Sequence, residues 1–325
     1  MLKKASCIII CVFLLISISG CENKAIYSGE NTGMTCGNAV MGGGQFAYSN
    51  GFVYFYYANS IYEYDLQTKK TVMINTENTL PKMAFLSDDY IYYVDSLHAR
   101  TELKCITKNG KKQYSLFDFK DGIYYPFADG MDIYLLSAGK LIHRDMSTGE
   151  NRELISSVKS YYIDDSSIYV VIEENNKQGL YQSRQENIQF NKLELSFEPM
   201  LVYSTGTELY LAEKCYTPNN QGLYTCQIIR YSTGQETRLP IYSQYYQILN
   251  NCVIYSDDNT YQNSCFTVKS YDLETGEETV LCNNVFDFCI LEEKYICFRC
   301  QDNSRVWWDL LDWQTGETVR MHQLT

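Results

Sequence analysis

The sequence predicts an all-β chain folded as a β-propeller, most simply with seven four-stranded blades. Three observations carry this. A repeat recurs about every 40 residues, a hairpin signature sits at one place in each copy, and tyrosine is in excess with weak helical periodicity. The 325 residues hold 30 Tyr against 14 Phe and 3 Trp. Aromatic rings pack well on pleated, half-buried strands, so this excess favours sheets.

Residues 1–20 read as a secretory signal. Lys3 and Lys4 precede an apolar run from Ala5 to Ile18, shorter than a membrane-spanning helix needs. The run ends in Ile18-Ser19-Gly20-Cys21, an aliphatic residue and two small ones before a cysteine. This resembles the bacterial lipobox, which implies that Cys21 is acylated and becomes the first residue of the mature chain. Loss of Lys3 and Lys4 would take the formal charge from -12 to -14. Residues 21–44 then form the lipidated N-terminus, part of it a flexible tether ending in Gly42-Gly43-Gly44. The expected location is the outer face of the cell membrane, held by acyl chains.

The propeller is expected over 45–325. Its clearest repeat units are Tyr64-Asp65-Leu66-Gln67-Thr68, Arg144-Asp145-Met146-Ser147-Thr148-Gly149, Tyr271-Asp272-Leu273-Glu274-Thr275-Gly276 and Leu311-Asp312-Trp313-Gln314-Thr315-Gly316. Arg230 to Glu236 also fits, and Leu103 to Gly110 and Leu180 to Asn187 are weaker copies. Aligned on one apolar position, the copies fall at Ile61, Leu103, Leu141, Leu180, Ile228, Val268 and Trp308. A strand bearing Tyr54, Tyr92, Tyr134, Tyr169, Tyr210, Tyr255 or Tyr295 precedes each. Glycine supplies the positive φ of a tight turn, and Asp or Ser before it bonds the turn backbone.

The blades are placed at about 45–76, 80–118, 122–156, 158–196, 198–240, 242–283 and 285–325, each with strands a to d in chain order. Six or eight blades fit the same spacing, because the copy in the 180s is degenerate. Cys36 to Val40 is a candidate partner for ring closure by strand exchange.

The array opens with Asn31-Thr32-Gly33-Met34, Gly37-Asn38, Gly43-Gly44 and Gly51-Phe52-Val53-Tyr54-Phe55-Tyr56, and Ile91-Tyr92-Tyr93 recurs the theme. From about 31 to 325 it resembles a family of uncharacterised Gram-positive lipoproteins with a receptor-related-like or TolB-like β-propeller. The resemblance implies surface binding or scaffolding and no known chemistry. The chain lacks the Tyr-Trp-Thr-Asp signature of receptor propellers, its single Trp308-Asp309 does not recur as in WD repeats, and the tryptophan docking pattern of quinone-dependent dehydrogenases is absent.

Catalytic chemistry is sparse. Three histidines, His98, His143 and His322, read as ordinary. The acid pairs Asp88-Asp89, Asp164-Asp165 and Glu292-Glu293 fall at a–b turns, and Asp257-Asp258 opens a b–c loop. Cys297-Phe298-Arg299-Cys300 has metal or redox spacing, but strand alternation sends its thiols to opposite faces. No catalytic residue, metal or cofactor is expected. Scattered Lys and Arg exclude a nucleic-acid surface.

Export permits disulfides, with Cys215–Cys226 and Cys252–Cys265 as candidates flanking the b–c loops of blades 5 and 6. The alternative is that these are small buried hydrophobes. The longest b–c loops are expected at Glu173 to Gly179, Glu213 to Gly222, Asp257 to Ser264 and Gln301 to Ser304. Their Tyr216, Asn219, Asn220, Tyr261 and Asn263 form the expected ligand face, suited to a carbohydrate or protein. The function implied is a lipid-anchored binding or scaffold module. The alternatives are a carbohydrate-active enzyme with channel-lining carboxylates and a subunit of an envelope complex.

Overall fold

The structure is a computed structural model that describes residues 36–41, 43–58, 60–75, 81–95, 101–214, 225–262 and 264–324. Five sheets hold four antiparallel strands each, covering Phe46 to Asn75, Pro81 to Phe119, Tyr124 to Ile155, Val158 to Lys192 and Pro199 to Tyr242. A sixth sheet runs seven strands from Tyr246 to Leu324. Its fourth strand, Glu278–Leu291, serves twice. Glu278 to Val285 pairs with the strand Cys265–Asp272, and Val285 to Leu291 pairs with Tyr295–Gln301. Divided at Val285, this sheet is two blades that share a strand, and the ring has seven.

The aligned repeat position explains itself in the fold. Ile61, Leu103, Leu141, Leu180, Ile228, Val268 and Trp308 all lie in strand c, and each is 0% exposed. The seven repeat tyrosines all lie in strand b and are buried. Each blade is sandwiched between two others, so strand b is covered on both faces. In blade 3, Ile133 to Ser137 is buried without a break, whereas the outer strand Asn151–Ile155 is largely exposed. The apolar clusters accordingly lie between adjacent blades, as between blades 1 and 2 and between blades 6 and 7.

Tyrosine outnumbers phenylalanine for a further reason. Some buried rings donate their hydroxyls across the seams between blades. Tyr161 of blade 4 donates to the carbonyls of Tyr125 and Tyr134 in blade 3. Tyr246 of blade 6 donates to the carbonyl of Tyr210 in blade 5, 2.8 Å away. A Phe fills the same volume and leaves that carbonyl without its seam donor.

The c–d turn is one device used four times. Asp65, Asp145, Asp272 and Asp312 each accept two backbone N–H bonds from the residues two and three ahead. The residue four ahead then turns left-handed, Gly276 at φ 73° and Gly316 at φ 72°.

Three expectations are corrected. Cys36–Val40 is a helix, not a closing strand. Among the described residues, each blade end is built from its own stretch of chain, and blade 7 meets blade 1 by side-chain packing. Trp308 stacks on Phe55 there with ring centroids 5.1 Å apart, in a cluster with Phe46, Val53, Cys297 and Met321. The Glu173 to Gly179 loop is a tight hairpin, turning at Asn175 and Asn176 with φ of 52° and 62°. Most of Asp257 to Ser264 continues strand b, which runs Cys252–Gln262 before strand c resumes at Cys265. Two consecutive left-handed Asn residues make the first hairpin short, and in the second a bulge between Asp257 and Gln262, which pair with Thr267 and Cys265, takes up the extra residues.

Candidate functional site

A propeller's channel is lined by its a strands, and here it is plugged. All five residues of the helix Cys36–Val40 are buried, and so is Met41 behind it. The helix touches several a strands. The thiol of Cys36 accepts the N–H of Ile163 in blade 4 at 3.2 Å, and the Asn38 amide donates to the Ile290 carbonyl in blade 7. Burial pushes the Cys36 thiol well above its usual range, so it stays neutral. Gly37 lies flat against Tyr203 of blade 5. A Cβ there would fall 2.5 Å from the ring, so only glycine fits without displacement.

The helix separates two recesses. Its N-terminal end, at Cys36, faces the a–b turns. That recess, about 780 Å³, is lined by Asp129, Asp164, Asp165, Glu292 and Glu293 among others. Asp164 serves local structure here. Asp164 accepts the N–H groups of Ser166 and Ser167 and the hydroxyl of Ser204.

The C-terminal end, at Met41, opens on the opposite face, where d–a and b–c connections gather. Two lobes meet there and share Met41, Tyr245 and Asp287, with volumes of about 270 and 300 Å³. One lobe adds Tyr261, Phe266, Phe286 and Gln247; the other adds Tyr124, Tyr125 and Gln45. Large rings stand open to solvent here: Tyr124 is 56% exposed, Tyr245 50%, Tyr125 42% and Tyr261 39%. Exposed aromatics grouped around a recess are unusual for a surface with no binding role.

The floor of this mouth is polar and internally balanced. Asp287 faces Arg299 at 3.4 Å, and the Arg299 guanidinium lies over the Phe286 ring at 4.5 Å. Burial, then the Asp287 charge, pushes the hydroxyls of Tyr245 and Tyr56 above the usual tyrosine range. Asp258 lies behind Tyr245. It is 9% exposed, and burial raises its carboxyl to about 6 despite bonds from the Gln244 N–H and the Ser256 hydroxyl.

Of the residues expected at a ligand face, Tyr261 lines the mouth; Tyr216, Asn219, Asn220 and Asn263 lie outside the described residues, as do Cys21, His98 and Cys215. Tyr124, Tyr125, Tyr245, Phe286 and Asp287 were not anticipated. Their signal was the doublets Tyr124-Tyr125 and Tyr245-Tyr246 at the d–a junctions. In the second doublet one ring is exposed and the other is buried.

The Cys252–Cys265 pairing is corrected. In the ladder of blade 6, Cys252 stands opposite Asp272 and Cys265 opposite Gln262, at opposite ends of the hairpin, and both thiols are free. The Cys226 thiol donates to the Met200 sulfur at 3.5 Å. Cys297 and Cys300 do face opposite ways, into the seams with blade 1 and blade 6 respectively. His143 stands 2.6 Å from the Asp132 carboxylate, and His322 packs against Tyr62 and Trp308, where burial lowers its pKa.

Solved structures share this architecture at low identity. The propeller domain of the Trilobed protease from Pyrococcus furiosus matches with TM-score 0.62 and 13% identity over 85% of this chain and 93% of its own. TolB from Acinetobacter baumannii matches at 0.52 and 13%, over 85% and 77%. An uncharacterised protein from Listeria monocytogenes matches at 0.53 and 10%, over 75% and 83%. The chain has the fold of TolB-like β-propellers. No protein-family model matches the chain, and no curated protein matches it in sequence.

Proposed function

We propose that this protein is a lipid-anchored, extracytoplasmic binding module that holds a neutral carbohydrate in its aromatic mouth. The observation that carries the reading is the ring of open tyrosines, Tyr124, Tyr125, Tyr245 and Tyr261, around a recess floored by the buried helix. Flat aromatic faces stack on the C–H faces of sugars, while Gln45, Gln247 and the tyrosine hydroxyls suit sugar hydroxyls. Asp287 is already balanced by Arg299, so the floor does not call for a charged ligand. The chain's net charge of -12 disfavours anionic ones.

A propeller of TolB-like fold fits a module that binds or scaffolds. The rigid ring holds loop residues from distant parts of the sequence at one mouth, and the plug converts a channel into a cup. An acid pair acting on a chain threaded through the ring is disfavoured, because the helix stands between the acidic recess and the mouth.

Two experiments test the reading. Titration with neutral oligosaccharides should show binding that Tyr245→Ala weakens roughly tenfold, the loss of about 1.4 kcal/mol of aromatic contact. Binding unaffected by that substitution, or none across the panel, overturns the carbohydrate assignment. Cys21→Ala should release the protein from membranes; unchanged fractionation overturns the anchor.

A further inference from the structure

Cys282 lies in the strand shared by blades 6 and 7 and Cys300 in strand b of blade 7, and their sulfurs are 3.6 Å apart. Cys300 stands opposite Val285 in the ladder of blade 7. In a straight strand Cys282, three residues before Val285, would lie about 10 Å away along the chain. Asn284 removes that distance. It is left-handed, with φ 58°, where the shared strand passes from blade 6 to blade 7, and pairing with the neighbouring strand shifts register at the same place. The kink turns Cys282 toward the seam and lays its thiol beside Cys300.

The two sulfurs differ in access. Cys300 is 0% exposed, whereas Cys282 is half-buried next to exposed Asn283 and Asn284. With Cys300 donating its S–H, the Cys282 thiol is held below its usual range, and the nearby Arg320 cation acts in the same direction. Burial and that same bond push Cys300 well above its range. The reachable sulfur is therefore the more easily ionised of the two, and a buried neutral thiol lies behind it.

Asp309 completes a group that has the spacing of a metal site, its carboxylate within 4.8 Å of both sulfurs. Its oxygens are already engaged. Trp307 Nε1 donates to Oδ2 at 2.9 Å, and the Arg320 guanidinium bonds both oxygens. A fixed guanidinium against the carboxylate disfavours a divalent cation, and two thiolates alone fall short of the four ligands zinc takes.

We propose that Cys282 and Cys300 are a redox-active dithiol that closes to a disulfide across the seam between blades 6 and 7. The oxidant is a disulfide. The Cys282 thiolate attacks one of its sulfurs, forming a mixed disulfide and expelling the other sulfur as a thiolate. Cys300 then gives its proton to solvent and attacks Cys282 Sγ, expelling the second thiol of the oxidant. Two electrons and two protons leave the protein, and one S–S bond forms. The bond ties the strand shared by two blades to strand b of blade 7, the blade that meets blade 1 across the ring junction. The chemistry is separate from the carbohydrate mouth and from the anchor.

The test uses the purified full chain with oxidised glutathione as the probe, followed by denaturation, alkylation and peptide mapping. Two thiols should be lost together, both mapped to Cys282 and Cys300, with an intact mass lower by two hydrogens. Reduction should restore both. Cys282→Ser should abolish the loss, while Cys252→Ser, a half-buried control, should leave it intact. Continued alkylation of both residues at saturating oxidant overturns the proposal. So does a mixed disulfide that persists on Cys282 without engaging Cys300. Stoichiometric zinc in the purified protein, released by thiol modification at these two residues, overturns it in favour of a metal site.

Discussion

Asp258→Asn should stabilise the protein at neutral pH, and its effect should vanish in acid. The carboxyl is buried within strand b of blade 6 and raised from 3.8 to about 6, with desolvation the largest cause. Adjacent Asp257 adds to the rise but is itself paired with Lys269 at 2.6 Å. The sign follows from proton binding. Between about pH 4 and 6 the folded state keeps a proton that the unfolded state has released, so stability falls as pH rises. Roughly two units at 1.36 kcal/mol each give a deficit of about 3 kcal/mol, fully present above about pH 6 and absent below about pH 4. Asn matches the carboxyl in shape, still accepts the Ser256 hydroxyl and carries no charge at any pH. Urea denaturation of both proteins from about pH 4 to 7.5 should show the variant pulling ahead across that window, by an amount approaching 3 kcal/mol. A difference that stays flat with pH, or a native protein that gains on the variant as pH rises, would refute the burial argument.

Three further perturbations probe the ring and its plug. Trp308→Ala empties the contact with Phe55 and Tyr57 at the junction of blades 7 and 1, and should cost about 3–5 kcal/mol in denaturant unfolding. A cost under about 1 kcal/mol would mean that this contact does not close the ring. Gly37→Val drives a side chain into Tyr203 and should cost about 1–3 kcal/mol; a double-mutant cycle with Tyr203→Leu should show coupling, and strict additivity would place the helix elsewhere. Gly276→Ala forces a Cβ into the left-handed turn and should lower stability by about 1 kcal/mol, whereas the same change at an extended glycine such as Gly179 should not act through backbone strain.

The blades were legible because each repeats one local solution. An apolar residue at 0% exposure, a tyrosine one strand earlier and an Asp-led turn recur seven, seven and four times, and repetition separates signal from chance. The helix was not legible. Cys36-Gly37-Asn38-Ala39-Val40 is too short to show helical periodicity, contains a poor helix former, and owes its form to a channel made by residues hundreds of positions away. The mouth was half legible for a related reason. Tyr261 stood out because it was expected in a loop, whereas Tyr124 and Tyr245 belong to strand-entry doublets, where sequence alone does not say which ring faces water. The shared strand Glu278–Leu291 also hid the kink at Asn284, since an Asn in a polar stretch reads equally as a turn or as an exposed strand residue.

The direction of the plug bears on how the molecule would be presented. Strand a begins at the mouth and ends at the a–b turns, as Phe46–Ser49 does before the turn at Asn50 and Gly51. The helix runs the other way, from Cys36 in the acidic recess to Met41 at the mouth, and Gly43 and Gly44 reverse the chain with φ of 59° and 68°. The chain therefore enters the ring through its acidic face. An anchor at Cys21 would hold that face toward the membrane and leave the tyrosine-lined mouth on the far side. Labelling of intact cells should then reach a cysteine introduced at Tyr124 far faster than one introduced at Asp165. Equal rates would mean that the plug does not set the orientation of the molecule.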